Sequence, residues 1–438
     1  MKQNNWVLKF YIGLLLFVFG LIVLHAPLTV YLGTQFSELD LLVKSWKEIL
    51  LIVALPLGIY LAAKSGLAKK MKKDPLFFAI LGFAVLHIVL LAIFSTTVEQ
   101  LLAGLAIDLR YILFFMLFYI AISVAPHYRK PFLVVGLTGA VIVVGFSLLQ
   151  IFVLPIDILT YIGYGKDTIE PYLTIDKNTD FIRINGTLRG PNPLGAYMVI
   201  IITALAAWVV AKKHSVKEKR TVVLLSSLAF LSIIVLWASY SRSALVAALI
   251  SLGIIALIIF GKKIRPNWWA GLAALLIIFG GLLYVQKDSH FIQQVVLHNN
   301  PSGGSVRDSN EEHATSLEIG TERMLAQPLG AGVGSTGSAS LFSDEPIIIE
   351  NQYLFIAHES GWLGLLLFAY IFIAILWRSW QKKADWLALA VFSSGIGLAC
   401  IGLLLPVWVD DTVGIIWWGL AGIALATKGN YAKRKQTK

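Results

Sequence analysis

Apolar runs close to twenty residues long recur from one end of this 438-residue chain to the other. About twenty residues is the length a helix needs to cross the hydrocarbon core of a bilayer. The composition agrees: 58% of residues are hydrophobic, 14% are charged and the mean hydropathy is +0.78, against roughly half apolar and a quarter charged in ordinary soluble domains. So little polar surface cannot coat two or three soluble domains, and a bilayer is the natural solvent.

The runs place spans at residues 10–30, 47–63, 76–95, 102–125, 133–154, 192–211, 221–238, 243–260, 268–286, 351–377, 386–405 and 412–427. The expected fold is an all-α polytopic integral membrane protein of about twelve transmembrane helices with a large extracytoplasmic loop. The first run is long and lacks a small-residue cleavage site, so it reads as a retained helix rather than a signal peptide. The chain divides into residues 1–190, with five helices and a first outer loop, residues 191–427, which include an outer loop at 287–350, and a basic tail at 428–438. Cys400 is the only cysteine and lies inside an apolar run, which excludes an intrachain disulfide and a cysteine metal site.

The net charge of +11 would suit nucleic acid if it were clustered with aromatic residues. Instead it is sorted by side. The alternate loops (residues 1–9, 64–74, 126–131, 212–220, 261–267, 378–385 and the tail) hold 25 of the 36 Lys and Arg but only three of the 25 Asp and Glu. The positive-inside rule makes these loops and both termini cytoplasmic. No nucleic-acid partner is expected, and the basic residues such as Lys69, Lys70, Lys72 and Lys73 read as orientation signals and contacts to anionic lipid.

Two segments on the opposite face, 155–191 and 287–350, are too long to be simple connectors, and chemistry is expected there. The second is polar and Gly-rich, with a helical stretch expected from Ser309 to Ala326. In DFIRINGTLRGPNPLGAYM, Arg183 and Arg189 precede a Gly-Pro-Asn-Pro turn containing Asn192 that opens the sixth span. A guanidinium beside a helix start suits a pyrophosphate, because its fork of donors matches phosphate oxygens; the bland alternative is an interfacial snorkelling arginine. Arg242 in WASYSRSALVAAL sits in a tight hairpin between two spans, where a charge needs either an acidic partner or a phosphorylated ligand.

In ENQYLFIAHESGWLG, Glu350 and Asn351 lie at an outer helix start, with His358 and Glu359 about 12 Å deeper at 1.5 Å per residue. Glu350 fits equally a helix-end carboxylate and a general base. His358 and Glu359 are adjacent and should face different ways, His358 as a packing residue. Arg110, two residues after Asp108 in an apolar segment, belongs either to an internal pair or to a substrate. Asp410 and Asp411 read as a solvated turn rather than a metal site. No metal or cofactor is expected, since no zinc spacing, nucleotide loop or Ser/His/Asp arrangement stands out.

The pieces GTLRGPNPLGAYM, SRSAL, ERMLAQPLGAGVGS and ENQYLFIAHESGWLG, with the many spans and the large loop, resemble the O-antigen ligase family of membrane glycosyltransferases, which are C-type glycosyltransferase-like. The resemblance is best over the second half of the chain. It implies transfer of a glycan from an undecaprenyl diphosphate carrier to an acceptor glycan or lipid hydroxyl at the outer face of a bacterial plasma membrane. It implies no metal or nucleotide sugar, and it leaves open whether the protein acts alone or beside a flippase and a chain-length partner. Arg189 and Arg242 match the arginines that bind the diphosphate in that family, with Arg183, Asn192, Asn351 and Arg110 as further substrate contacts and Glu350 as a catalytic group. Ligases usually carry a histidine where this chain has Glu350, which moves the resemblance toward polymerase-like transferases. Two rival classes stand beside it: a transporter or flippase for a lipid-linked or anionic solute, and a non-catalytic envelope scaffold.

Overall fold

The computed structural model of the protein describes residues 6–94, 97–175, 178–211, 218–261, 289 and 309–426. Its helices are α1 (Trp6–Leu21), α2 (His25–Gln35), α3 (Trp46–Lys64), α4 (Pro75–Ile93), α5 (Val98–Val124), α6 (Arg129–Phe152), α7 (Pro191–Ala211), α8 (Lys219–Ala238), α9 (Arg242–Phe260), α10 (Ser309–Ala326), α11 (Gln352–Gln381), α12 (Trp386–Gly402) and α13 (Asp411–Ala426). Among the described residues, nine helical stretches are long and apolar enough to cross a membrane, α1 and α2 together making the first. The span expected at 268–286 lies outside the described residues. Large apolar side chains such as Ile52, Phe78 and Leu249 stand 71–72% exposed, as a surface solvated by lipid requires.

The last two expected spans are shorter than the rest: α12 has 17 residues and α13 has 16. The reason is position. Residues Thr412 to Leu425 of α13 are all buried, the mark of a helix that is apolar all round and enclosed by protein. It packs most extensively against α5, where Gly422 lets the backbones meet: a Cβ there would lie 2.5 Å from the Phe115 carbonyl oxygen. Around it Trp408, Trp417 and Trp418 stack with Phe372 of α11, with Trp408 and Trp417 centroids 5.0 Å apart.

The all-α expectation needs one correction. The outer segment between α6 and α7 contains an antiparallel hairpin, β1 (Tyr172–Ile175) and β2 (Asn178–Ile184), with Leu173 opposite Arg183. A second departure is a break in α11, where Gly361 adopts φ 67° and ψ −173°. The polypeptide from Pro328 to Gly334 threads beside this break: Ala331 and Gly332 donate to the His358 and Glu359 carbonyls, and Trp362 donates to Pro328. A Cβ on Gly361 would lie 2.5 Å from the Pro328 oxygen. Irregular backbone at such depth is tolerated because protein, not lipid, satisfies it.

At the end of the bundle carrying the basic loops, two of the three acids have specific work. Asp74 and Asp385 cap α4 and α12 and pair with Arg378 and Arg129, at 2.5 Å and 2.6 Å. Burial alone would raise Asp74, but the Arg378 hydrogen bonds, the Leu76 N–H and the guanidinium charge together hold its carboxyl below the usual range.

Candidate functional site

At the opposite end, α7 and α9 both begin beside the β-hairpin. Arg183 on β2 joins them: its Nε donates to the Ser239 carbonyl at 3.1 Å and its Nη2 to Asn192 Oδ1 at 2.7 Å. Ser239 opens the turn into α9, in which Tyr240 is left-handed with φ 46°, a conformation that costs a non-glycine residue about 1–2 kcal/mol. Gly195 allows close approach, since a Cβ there would meet those of Ala244 and Ser241 at 2.8 and 2.9 Å. The starts of the two helices, carrying Arg189 and Arg242, are thereby held side by side. Arg183 and Asn192, expected as substrate contacts, are bonded to each other and hold this corner together.

The backbone donors at the two helix starts are unequal. Pro191 and Pro193 leave the first turn of α7 with the Asn192 N–H, and Leu194 already donates to Gly190. At α9 the first turn is Arg242, Ser243 and Ala244, with Ser241 as cap and no proline. Any anion drawn to this corner by helix N–H groups is therefore drawn mainly by α9. Arg189 itself is exposed.

The segment before α13 reaches the same corner. Burial pushes the Asp410 carboxyl above the usual range, with Asp411 adding to it, while the Val413 N–H and the Arg189 and Arg110 charges oppose the rise. Asp410 is thus within electrostatic reach of Arg189. The solvated turn expected at Asp410 and Asp411 is corrected by the structure. Asp411 belongs to a network: its carboxylate pairs with Arg110, with His25 Nε2 at 2.9 Å and with Lys47 at 3.5 Å. Arg110 also pairs with Glu48 at 2.7 Å and donates to the Val409 carbonyl at 2.9 Å. Of the two roles expected for Arg110, the structure builds the internal pair, but with Glu48 and Asp411 rather than Asp108. Its guanidinium, 3% exposed, holds α3, α5 and α13 together instead of facing a substrate.

Asp108 faces the other way, toward His87 Nε2 at 3.4 Å and the Glu359 carboxyl. Glu359 Oε1 also accepts from the Thr336 N–H at 3.1 Å, while Gln100 donates to the Gly334 carbonyl. His358, expected as a packing residue, is buried, and so is Glu359 beside it, where the Pro328–Gly334 segment covers the broken helix.

Glu350 and Asn351 lie at the start of α11 as expected, and they divide the work. Asn351 is the cap: its Oδ1 accepts from the Tyr353 and Leu354 N–H groups, and its Nδ2 donates to the Leu403 carbonyl. That leaves little of its amide for a ligand. Glu350 instead faces α10, where its N–H donates to Ser316 Oγ at 2.8 Å and its Oε2 lies 2.6 Å from His313 Nδ1. His313 escapes sequence reasoning because nothing local ties it to a residue 37 positions later. The one available signal is that His313 and Ser316 share a helix face at i, i+3.

Residues 227–369 match the family described as O-antigen ligase. The match runs from α8 into α11 and takes in Arg242, His313, Glu350 and the Gly361 break, while Arg183, Arg189 and Asn192 precede it. Over this stretch the chain is similar to that family, in line with the resemblance carried by its motifs, and among the described residues nine helical stretches are long and apolar enough to cross a membrane. No curated protein matches the chain.

Proposed function

We propose, taking the O-antigen ligase match as premise, that the protein transfers a glycan from undecaprenyl diphosphate to an acceptor hydroxyl on the extracytoplasmic face, as a ligase or polymerase. The observation that carries this reading is the close packing of α7 and α9 at Gly195, which sets Arg189 and Arg242 at adjoining helix starts. As the bond between the anomeric carbon and the phosphate oxygen breaks, its electron pair leaves on the lipid diphosphate. Two guanidiniums and the start of α9 stabilise that charge where it develops. The acceptor oxygen forms the new bond to the anomeric carbon, and its proton is removed at the Glu350 corner. Segment 309–350, folded against α11, is where acceptor choice resides.

The test is transfer of a lipid-linked glycan by the purified protein. Arg189→Ala and Arg242→Ala are each expected to lose transfer with the fold intact; full activity in both refutes the clamp. A transporter is the second reading, and the broken helix at Gly361 is the observation that favours it, because carriers build sites at such breaks. Here Glu359 and the 328–334 segment fill the break. Uptake into proteoliposomes without covalent transfer would favour the transporter.

A further inference from the structure

We propose that His313 is the proton acceptor of the transfer reaction and that Glu350 is the carboxylate that positions it; this rests on the glycan-transfer reading above. The geometry comes from two elements docked on each other. Helix α10 lies against the start of α11 through Gly320, where a Cβ would meet Leu354 Cδ1 at 3.0 Å and Ile349 Cγ2 at 3.2 Å. Glu350 meets one face of α10 twice: its N–H donates to Ser316 Oγ, and its Oε2 lies 2.6 Å from His313 Nδ1, a charge contact not aligned as a hydrogen bond. The backbone leading into Glu350 is fixed as well, since Thr336 Oγ1 donates to the Ile347 carbonyl and accepts from the Ile349 N–H.

This arrangement divides the labour between the two side chains. Glu350 Oε2 and His313 Nδ1 are both closed off from solvent, so an acceptor hydroxyl cannot reach that carboxylate oxygen directly. A bare Nδ1 lone pair 2.6 Å from a carboxylate oxygen would be repelled by it, so the contact favours the tautomer with the proton on Nδ1 and the lone pair on Nε2. The imidazole remains 27% exposed and the carboxylate 35%, which leaves the pair reachable from the outer face. In the step, the acceptor O–H bond breaks and its proton passes to His313 Nε2. The acceptor oxygen bonds to the anomeric carbon, and the leaving electron pair goes to the diphosphate. The imidazolium so formed is balanced by the Glu350 carboxylate, and it later returns its proton to water.

The experiment uses the full chain, undecaprenyl-diphosphate-linked glycan and an acceptor glycan, with kcat and KM measured from pH 5 to 9. His313→Ala is expected to lower kcat by about 10²–10⁴-fold, to leave the donor KM unchanged, and to regain part of the rate with added imidazole. Glu350→Gln is expected to lower kcat less and to move the acid limb of the profile, a limb that His313→Ala abolishes. Wild-type kcat and pH profile in His313→Ala, while Arg242→Ala is inactive, overturn the proposal and leave the transfer reading standing. A loss in His313→Ala that imidazole does not relieve and that follows a lowered melting temperature assigns His313 a structural role and also overturns it. A wild-type protein that transfers no glycan overturns both.

Discussion

Replacing Arg110 by methionine should destabilise the protein by about 3–5 kcal/mol, the usual cost of removing one partner from a buried ion pair. Arg110 is 3% exposed and lies between Glu48 at 2.7 Å and Asp411. Lys47 and Arg110 balance Glu48 and Asp411, with Lys47 itself 3.1 Å from Glu48. Methionine fills a similar volume but leaves one net negative charge in an enclosed site, and it removes the donor to the Val409 carbonyl. Adding Glu48→Gln restores neutrality, so the double variant should recover most of the loss. The assay is unfolding in mixed micelles followed by fluorescence of Trp417 and Trp418 on α13, the helix that carries Asp411, and of Trp408 packed against them. A loss below about 1 kcal/mol for the single variant, or simple additivity of Arg110→Met and Glu48→Gln, would refute the charge-balance argument.

The neighbouring acids Asp410 and Asp411 should respond in opposite directions. Asp410→Asn keeps the cap on the Val413 N–H and removes a carboxylate whose ionisation folding disfavours, so it should stabilise the protein, with the gain appearing as pH rises through 3.8. Asp411→Asn, measured in the same unfolding assay, should destabilise it by leaving Arg110 and Lys47 under-paired. Asp74, held below its ordinary value of 3.8, stabilises the fold above that pH and loses this contribution as pH falls through its lowered folded value; Asp74→Asn should therefore be less stable than wild type at neutral pH and converge with it in strong acid. Gly361→Ala should cost about 1–3 kcal/mol from a positive-φ, extended-ψ conformation that essentially only glycine adopts, with more from the contact to Pro328. Faster protease cleavage between Pro328 and Ile349 would report it; cleavage at the wild-type rate would mean the break is not held by this glycine.

What the sequence determined by itself is local. An apolar run in lipid must close its own backbone hydrogen bonds, so nine of the expected spans could be placed from composition and length, and α10 ends at Ala326 as expected. The Glu350–Asn351 helix start and the turn before Pro191 were legible for the same reason: caps and prolines act over one turn. Which charge meets which was not legible. Arg110 passes over Asp108 for residues on two other helices, and Glu350 meets a histidine on α10. Those partnerships depend on which helices become neighbours. In a membrane that choice is made by close approach at residues such as Gly195 and Gly422, not by an apolar periodicity that every lipid-facing helix shares. The sequence thus determined the bundle and its polar end, and the packing of small residues decided which side chains share a site there.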